Sequence, residues 1–386
     1  MRAILRQSNF DLLREIEQLR AILQNRFKPM DATTLVPELV PFYEALVQAC
    51  DQIHQRAVVA MSNLDFGQED ILSDVLSEIQ DITRLFQIYN RHFVGPLLRH
   101  QEGDRQCLKL LNWLHTQHPQ TQKIPAGLSN GEFGILPAPN FPIVYSMPVS
   151  AQYGLLYLPL FFHEFGHLLY ACHKQELDDL VQELQKKIAE LLGPMTQRDD
   201  RYSQTETAKR NLVIETWYEW MQELFCDSVG FHIGGPSFIH AFSMYLRMRG
   251  RGEFQVRENE LAYREHPVTW LRIHVLADQM HRANLHDEAN ALEETWKAIA
   301  EMLNIQEDYL GYYDDAFLPF IHQTISDLLT ETNPRHFAAD EISMETPVSP
   351  QSSPVHLLNH AWAVFLREPA QYGEWQKQII TTWWGN

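Results

Sequence analysis

The stretch "LPLFFHEFGHLLYACH", Leu158 to His173, sets three histidines and a glutamate into an otherwise apolar run. Leu160, Phe161, Phe162, Phe165, Leu168, Leu169 and Tyr170 make the segment apolar nearly all round, the pattern of a helix inside a core. Pro159 is tolerated in the first turn of such a helix. Imidazoles and a carboxylate are costly to bury unless something pairs with them. His163 and His167 are four residues apart and share one helix face, with Glu164 beside them. Gly166 costs about 1 kcal/mol in a helix interior, so another backbone or a substrate strand is expected to pass close to it.

A metal ion supplies the missing partner. Two imidazoles one turn apart can bind one zinc ion through their ring nitrogens. Glu164 then sits beside the open coordination position, where it can take a proton from a water and pass it to a leaving amine. A third ligand is still needed. His173 stands where the metzincin pattern HExxHxxGxxH has its third histidine, but that pattern has glycine at the position of Tyr170. Tyrosine resists the left-handed turn required there. If the helix continues, His173 lies roughly 240° around the axis from His167 and faces away.

The other candidate lies in "WYEWMQELFCDSVGFHIGG", Trp217 to Gly235, which is helical by pattern. Glu215, Glu219, Glu223 and Asp227 recur every fourth residue. Glu215 and Glu219 read as a solvated face, whereas Glu223 and Asp227 sit among Leu224, Phe225, Cys226 and Val229 and read as buried. Glu223 would complete a His2Glu site. Asp227, one turn on, would accept a hydrogen bond from the free nitrogen of a ligating histidine and fix its tautomer.

HEFGH followed by "ELFCDSVG" resembles the glutamate-zincins (gluzincins), whose second motif is ExxxD. A third segment, "HPVTWLRIHVL" from His266 to Leu276, is similar to the HP…R segment of the CAAX-prenyl-protease and HtpX-like zinc peptidases. The resemblance runs from about Tyr157 to Leu276. It implies that Glu223 binds zinc, that Asp227 orients a histidine ligand, and that His266 lies near the substrate carbonyl. Arg272 would be a structural or oxyanion-side partner. The chain departs from that family in having "LFCDSVG" for its EADxxG and in lacking its membrane-spanning segments.

The rest of the chain sets the frame. Its 386 residues are 45% hydrophobic and 21% charged, an ordinary globular composition. A formal net charge of −19 repels phosphates and argues against nucleic-acid binding. Four cysteines without paired spacing point to reduced thiols and a cytoplasmic location. No run is long and clean enough for a membrane span. Ile4, Phe10, Leu12, Leu13, Ile16, Leu19, Ile22 and Leu23 have helical spacing, and residues 1–115 read as an N-terminal helical region able to bind a protein partner. Residues 116–157 are rich in Pro, Gly, Ser and Asn and read as loops with a few short strands. "MTQRDDRYSQTET" reads as a polar loop. The expected domains are thus 1–115, a zincin-like metallopeptidase domain over 116–335, and a linker with C-terminal helices over 336–386.

The fold class expected is mainly α (α+β): a helical bundle with a small β-sheet packed on a zincin-like active-site helix pair. The expected function is a zinc metalloendopeptidase acting on peptide or protein substrates, with one zinc per chain. Its metal ligands are His163, His167 and Glu223, its general base is Glu164, and His266 donates to the oxyanion. The alternatives are a non-catalytic zincin-like scaffold and a partner-specific regulatory peptidase inert on generic substrates.

Overall fold

In a computed structural model of the chain, residues 1–27, 35–66, 69–101, 103–136, 142–193, 200–248, 254–256 and 266–384 are described. The molecule is mainly helical with one three-stranded sheet, and the chain divides into two compact units, Met1–Tyr153 and Gly154–Asn386. Among the described residues, no helix is long and apolar enough to cross a membrane.

In the first unit, α1 (Arg2–Arg26) lies against α2 (Val40–Phe66). The pair is antiparallel: Arg6 meets Asp65, and Asn9 Nδ2 donates to the Ala57 carbonyl at 2.8 Å. The buried stripe of α1 is Leu5, Leu12, Ile16, Leu19 and Leu23, so four positions of the expected face, Leu12, Ile16, Leu19 and Leu23, are buried as read. Ile4, Phe10 and Ile22 are exposed, because a polar residue, Asn9, takes the inward position between Leu5 and Leu12. The helices α3 (Leu72–Ile88), α4 (Val94–Arg99) and α5 (Asp104–Thr116) follow.

Strands β1 (Ala126–Asn130), β2 (Gly134–Leu136) and β3 (Ile143–Met147) form a sheet of order β1-β3-β2. β1 runs parallel and β2 antiparallel to β3, with Leu128 and Ile135 both opposite Tyr145. Residues 116–153 fall within the first unit because β1 packs on α2, α4 and α5.

The second unit is built around α6 (Leu160–Cys172) and α8 (Asp200–Gly234), its most extensively packed pair. Between them runs α7 (Lys174–Leu191), whose buried Leu177, Val181, Leu184 and Ile188 recur at helical spacing. The helix that carries Trp217 to Gly234 begins well upstream, at Asp200, inside the stretch read as a polar loop. Its first residues carry no apolar periodicity from which a helix could be inferred. α8 stops at Gly235, whose φ of +59° is the left-handed conformation that glycine adopts without strain. Pro236 then opens α9 (Pro236–Met248).

Five further α-helices follow α9 among the described residues: α10 (Thr269–Arg282), α11 (His286–Leu303), α12 (Leu318–Thr332), α13 (Pro354–Arg367) and α14 (Pro369–Trp384), the last packed on α13. The Pro/Ser-rich stretch after α12 is pinned rather than slack. The buried Glu341 carboxylate accepts from Arg335, the Ala338 amide and the Ser353 hydroxyl, while the Phe337 amide donates to the His232 carbonyl at 2.9 Å.

Candidate metal centre

The close crossing of α6 and α8 follows from Gly166. A Cβ at this position would lie 2.8 Å from the Cys226 Cα, so only glycine lets the two backbones approach as they do. The neighbour anticipated for Gly166 is therefore the α8 backbone. Tyr170, one turn on, fastens the same helices: its hydroxyl donates to Asp178 of α7 at 2.9 Å, and Tyr218 of α8 donates to that oxygen at 2.7 Å.

With the helices held this close, His163, His167 and Glu223 converge. One donor atom from each lies within 4.8 Å of the others, and among the described residues no other group of three His, Cys, Asp or Glu side chains does so. Glu223 Oε1 is 3.4 Å from His167 Nε2, and Oε2 is 3.6 Å from His163 Nε2. Ligands about 2.0–2.1 Å from a tetrahedral ion stand about 3.3–3.4 Å apart, so this spacing suits a small divalent cation. Glu223 Oε2 is buried and makes no hydrogen bond, an atom left for something else to satisfy.

Asp227 sits behind the triad. His163 Nδ1 donates to its Oδ1 at 2.9 Å, which turns Nε2 towards Glu223. Arg272 of α10 grips the same carboxylate with two bonds of 2.7 Å, from Nε to Oδ2 and from Nη2 to Oδ1. Its Nη2 also stands 3.3 Å from Glu223 Oε2. Below them Phe242 of α9 stacks on His163, ring centroids 6.1 Å apart, with the Arg272 guanidinium 4.7 Å from the same ring.

The electrostatics follow from burial and these neighbours. Burial alone would raise Asp227, but the Arg272 charge and hydrogen bonds, helped by His163, hold it at about 2. Glu223 is likewise kept below the ordinary carboxylate value by Arg272 and the histidines, against its own burial. Burial lowers His167 to about 4, so its ring is neutral at pH 7. Burial pushes Glu164 up to about 7; His163 opposes that and Glu223 adds to it.

The six residues singled out from sequence lie together. His163, Glu164, Glu223 and Asp227 are buried, His167 is partly exposed, and the His266 side chain is 48% exposed with Nε2 3.5 Å from Glu223 Oε2. Glu215 and Glu219 are exposed. His173 is not part of the cluster: α6 ends at Cys172 and His173 forms the joint to α7. What the sequence reading lacked was Phe242, one aromatic among several in an amphipathic helix, with no spacing signal to mark it. Compared with models of protein families, with curated proteins and with solved structures, the chain finds no match in any of the three.

Proposed function

We propose that the second unit is a zinc-dependent peptidase domain on the gluzincin plan, with α6 and α8 as a zincin-like helix pair. The observation that carries the proposal is the convergence of two imidazole Nε2 atoms on a buried carboxylate whose Oε2 accepts no hydrogen bond. Three protein ligands and an open position are the donor set of catalytic rather than structural zinc. Zinc held there supplies a Lewis acid that polarises the scissile carbonyl and lowers the pKa of water towards neutrality.

The chain's own groups do the rest. Asp227, locked by Arg272, fixes His163 with its proton on Nδ1. Glu164 takes the proton from the attacking water as the new C–O bond forms, then delivers it to the amide nitrogen as the C–N bond breaks. His266, at the exposed side of Glu223, donates to the carbonyl oxygen as negative charge develops, a contribution of a few kcal/mol when well aimed. The substrate is a peptide or protein. Four unpaired cysteines, three of them buried, fit a reducing compartment such as the cytoplasm.

Elemental analysis and peptide-library digestion together test this reading. The expected result is one zinc per chain in both the parent and Glu164→Gln, with cleavage in the parent only. Zinc far below one per chain, in protein never exposed to chelators, overturns the proposal. Zinc at one per chain with no cleavage of the library, or of cellular proteins, leaves the non-catalytic scaffold as the reading.

A further inference from the structure

A second cavity in the same unit takes no part in this chemistry. It is a solvent-open hollow of about 520 Å³ between the end of α8, the ends of α10 and α12, and the segment after α12. Cavities of roughly 300–1,000 Å³ are the usual size for small-molecule ligands. His232, on its wall, is nine residues after Glu223 on α8 and therefore on the opposite side of that helix from the metal ligands.

Beside the neutral polar Gln279, Ser326, Thr330 and Asn333, the lining has three chemical parts. Phe231, Ile325, Leu329 and Pro334 supply apolar surface. Arg282 is a fixed cation with no carboxylate partner among the described residues. Two of its histidine neighbours add little positive charge: His322 is engaged with Asp278 at 2.9 Å, and burial, then His336, lowers His232 to about 4. The third part is the carboxyl ends of two helices, since α10 ends at Arg282 and α12 at Thr332. Helix carboxyl ends carry partial negative charge and favour cations.

A cavity with one unpaired guanidinium, negative helix ends and an apolar wall matches a ligand with all three complements. A phosphate dianion fits poorly, because one guanidinium leaves its second negative charge uncompensated beside the helix ends. A simple amine fits poorly, because it would face Arg282. We propose that this cavity binds a zwitterionic small molecule, namely a free α-amino acid with an apolar side chain. Its carboxylate meets Arg282, its ammonium meets the end of α12, and its side chain packs on Phe231, Ile325 and Leu329. This inference stands apart from the peptidase reading.

The test is calorimetric titration of the full chain carrying Glu164→Gln with L-leucine and L-phenylalanine, beside N-acetyl-L-leucine and L-leucinamide. The free amino acids are expected to bind, and each blocked analogue to bind roughly tenfold more weakly or worse. Arg282→Ala is expected to abolish binding and Arg282→Lys to retain most of it. Arg282 is exposed, so both variants should keep the fold, which circular dichroism checks. Absence of binding for both amino acids at millimolar concentration overturns the proposal. So does equal affinity for the blocked forms, or affinity that survives Arg282→Ala.

Discussion

Two buried histidines, one in each unit, show how differently the same side chain can be accommodated. His115 of α5 is closed on both sides: Nδ1 meets the Thr121 carbonyl and Nε2 the Tyr145 hydroxyl, each at 3.1 Å. His163 of α6 is closed on one side only. Its Nδ1 donates to Asp227, while Nε2 faces a carboxylate oxygen that has no hydrogen-bond partner. Burial is nearly complete in both cases, so burial alone does not mark a functional histidine. What sets His163 apart is its company: a ligand atom of His163 lies within 4.8 Å of ligand atoms of His167 and Glu223, and the open Glu223 Oε2 costs about 1–3 kcal/mol unless a ligand fills it.

The contrast can be broken most sharply at Glu223. Glu223→Ala removes a ligand and is expected to weaken zinc binding by more than the roughly 10–100-fold typical of outer-shell changes. A chelator competition that found undiminished affinity would move the ligand role to another residue. Asp227→Asn comes next, with affinity reduced roughly 10–100-fold and Arg272 left with Glu223 as its counter-charge. Equal affinity in that variant would show that the orientation of His163 does not depend on Asp227.

Gly166→Ala probes the helix crossing that makes the second unit's arrangement possible. The new methyl would push on the Cys226 backbone, with an expected loss of about 1–3 kcal/mol in denaturant unfolding and weaker zinc binding. Unchanged stability and affinity would mean that α6 and α8 tolerate a wider spacing.

The smallest effect on the metal is expected at the closed site. His115→Phe should cost about 1–3 kcal/mol through the orphaned Tyr145 and Thr121 partners, and leave zinc content untouched. It should also change the acid limb. Burial, against the Thr121 bond, lowers the His115 pKa from 6.5 to about 4, so the unfolded chain binds the extra proton over that range. Stability linked to this group is therefore lost as pH falls from 6.5 towards 4. Unfolding followed across that window should show a shallower decline in His115→Phe than in the parent, and parallel curves would refute the assignment.

The helices with clear apolar periodicity were legible before any coordinates. Leu177, Val181, Leu184 and Ile188 of α7 and the buried ring of α6 are examples. The reading of Glu215 and Glu219 as solvated and of Glu223 and Asp227 as buried matches their exposure. The start of α8 at Asp200 was not, since a polar helix end shows no face. Nor was the inward Asn9, whose burial depends on reaching the Ala57 carbonyl of α2.

At HEFGH, the sequence by itself determined which atoms share a face: His163, Glu164 and His167, through the helical repeat. It also marked Gly166 as a place of close approach. Only the tertiary structure decided what approached, since the repeat of one helix says nothing about the distance to another. The α8 backbone came within contact of Gly166 and carried Glu223 to the two imidazoles. Asp227 was legible as a carboxylate one turn past Glu223. That Arg272 and Phe242 would brace it and His163 from two further helices was a matter of packing, which no local spacing encodes.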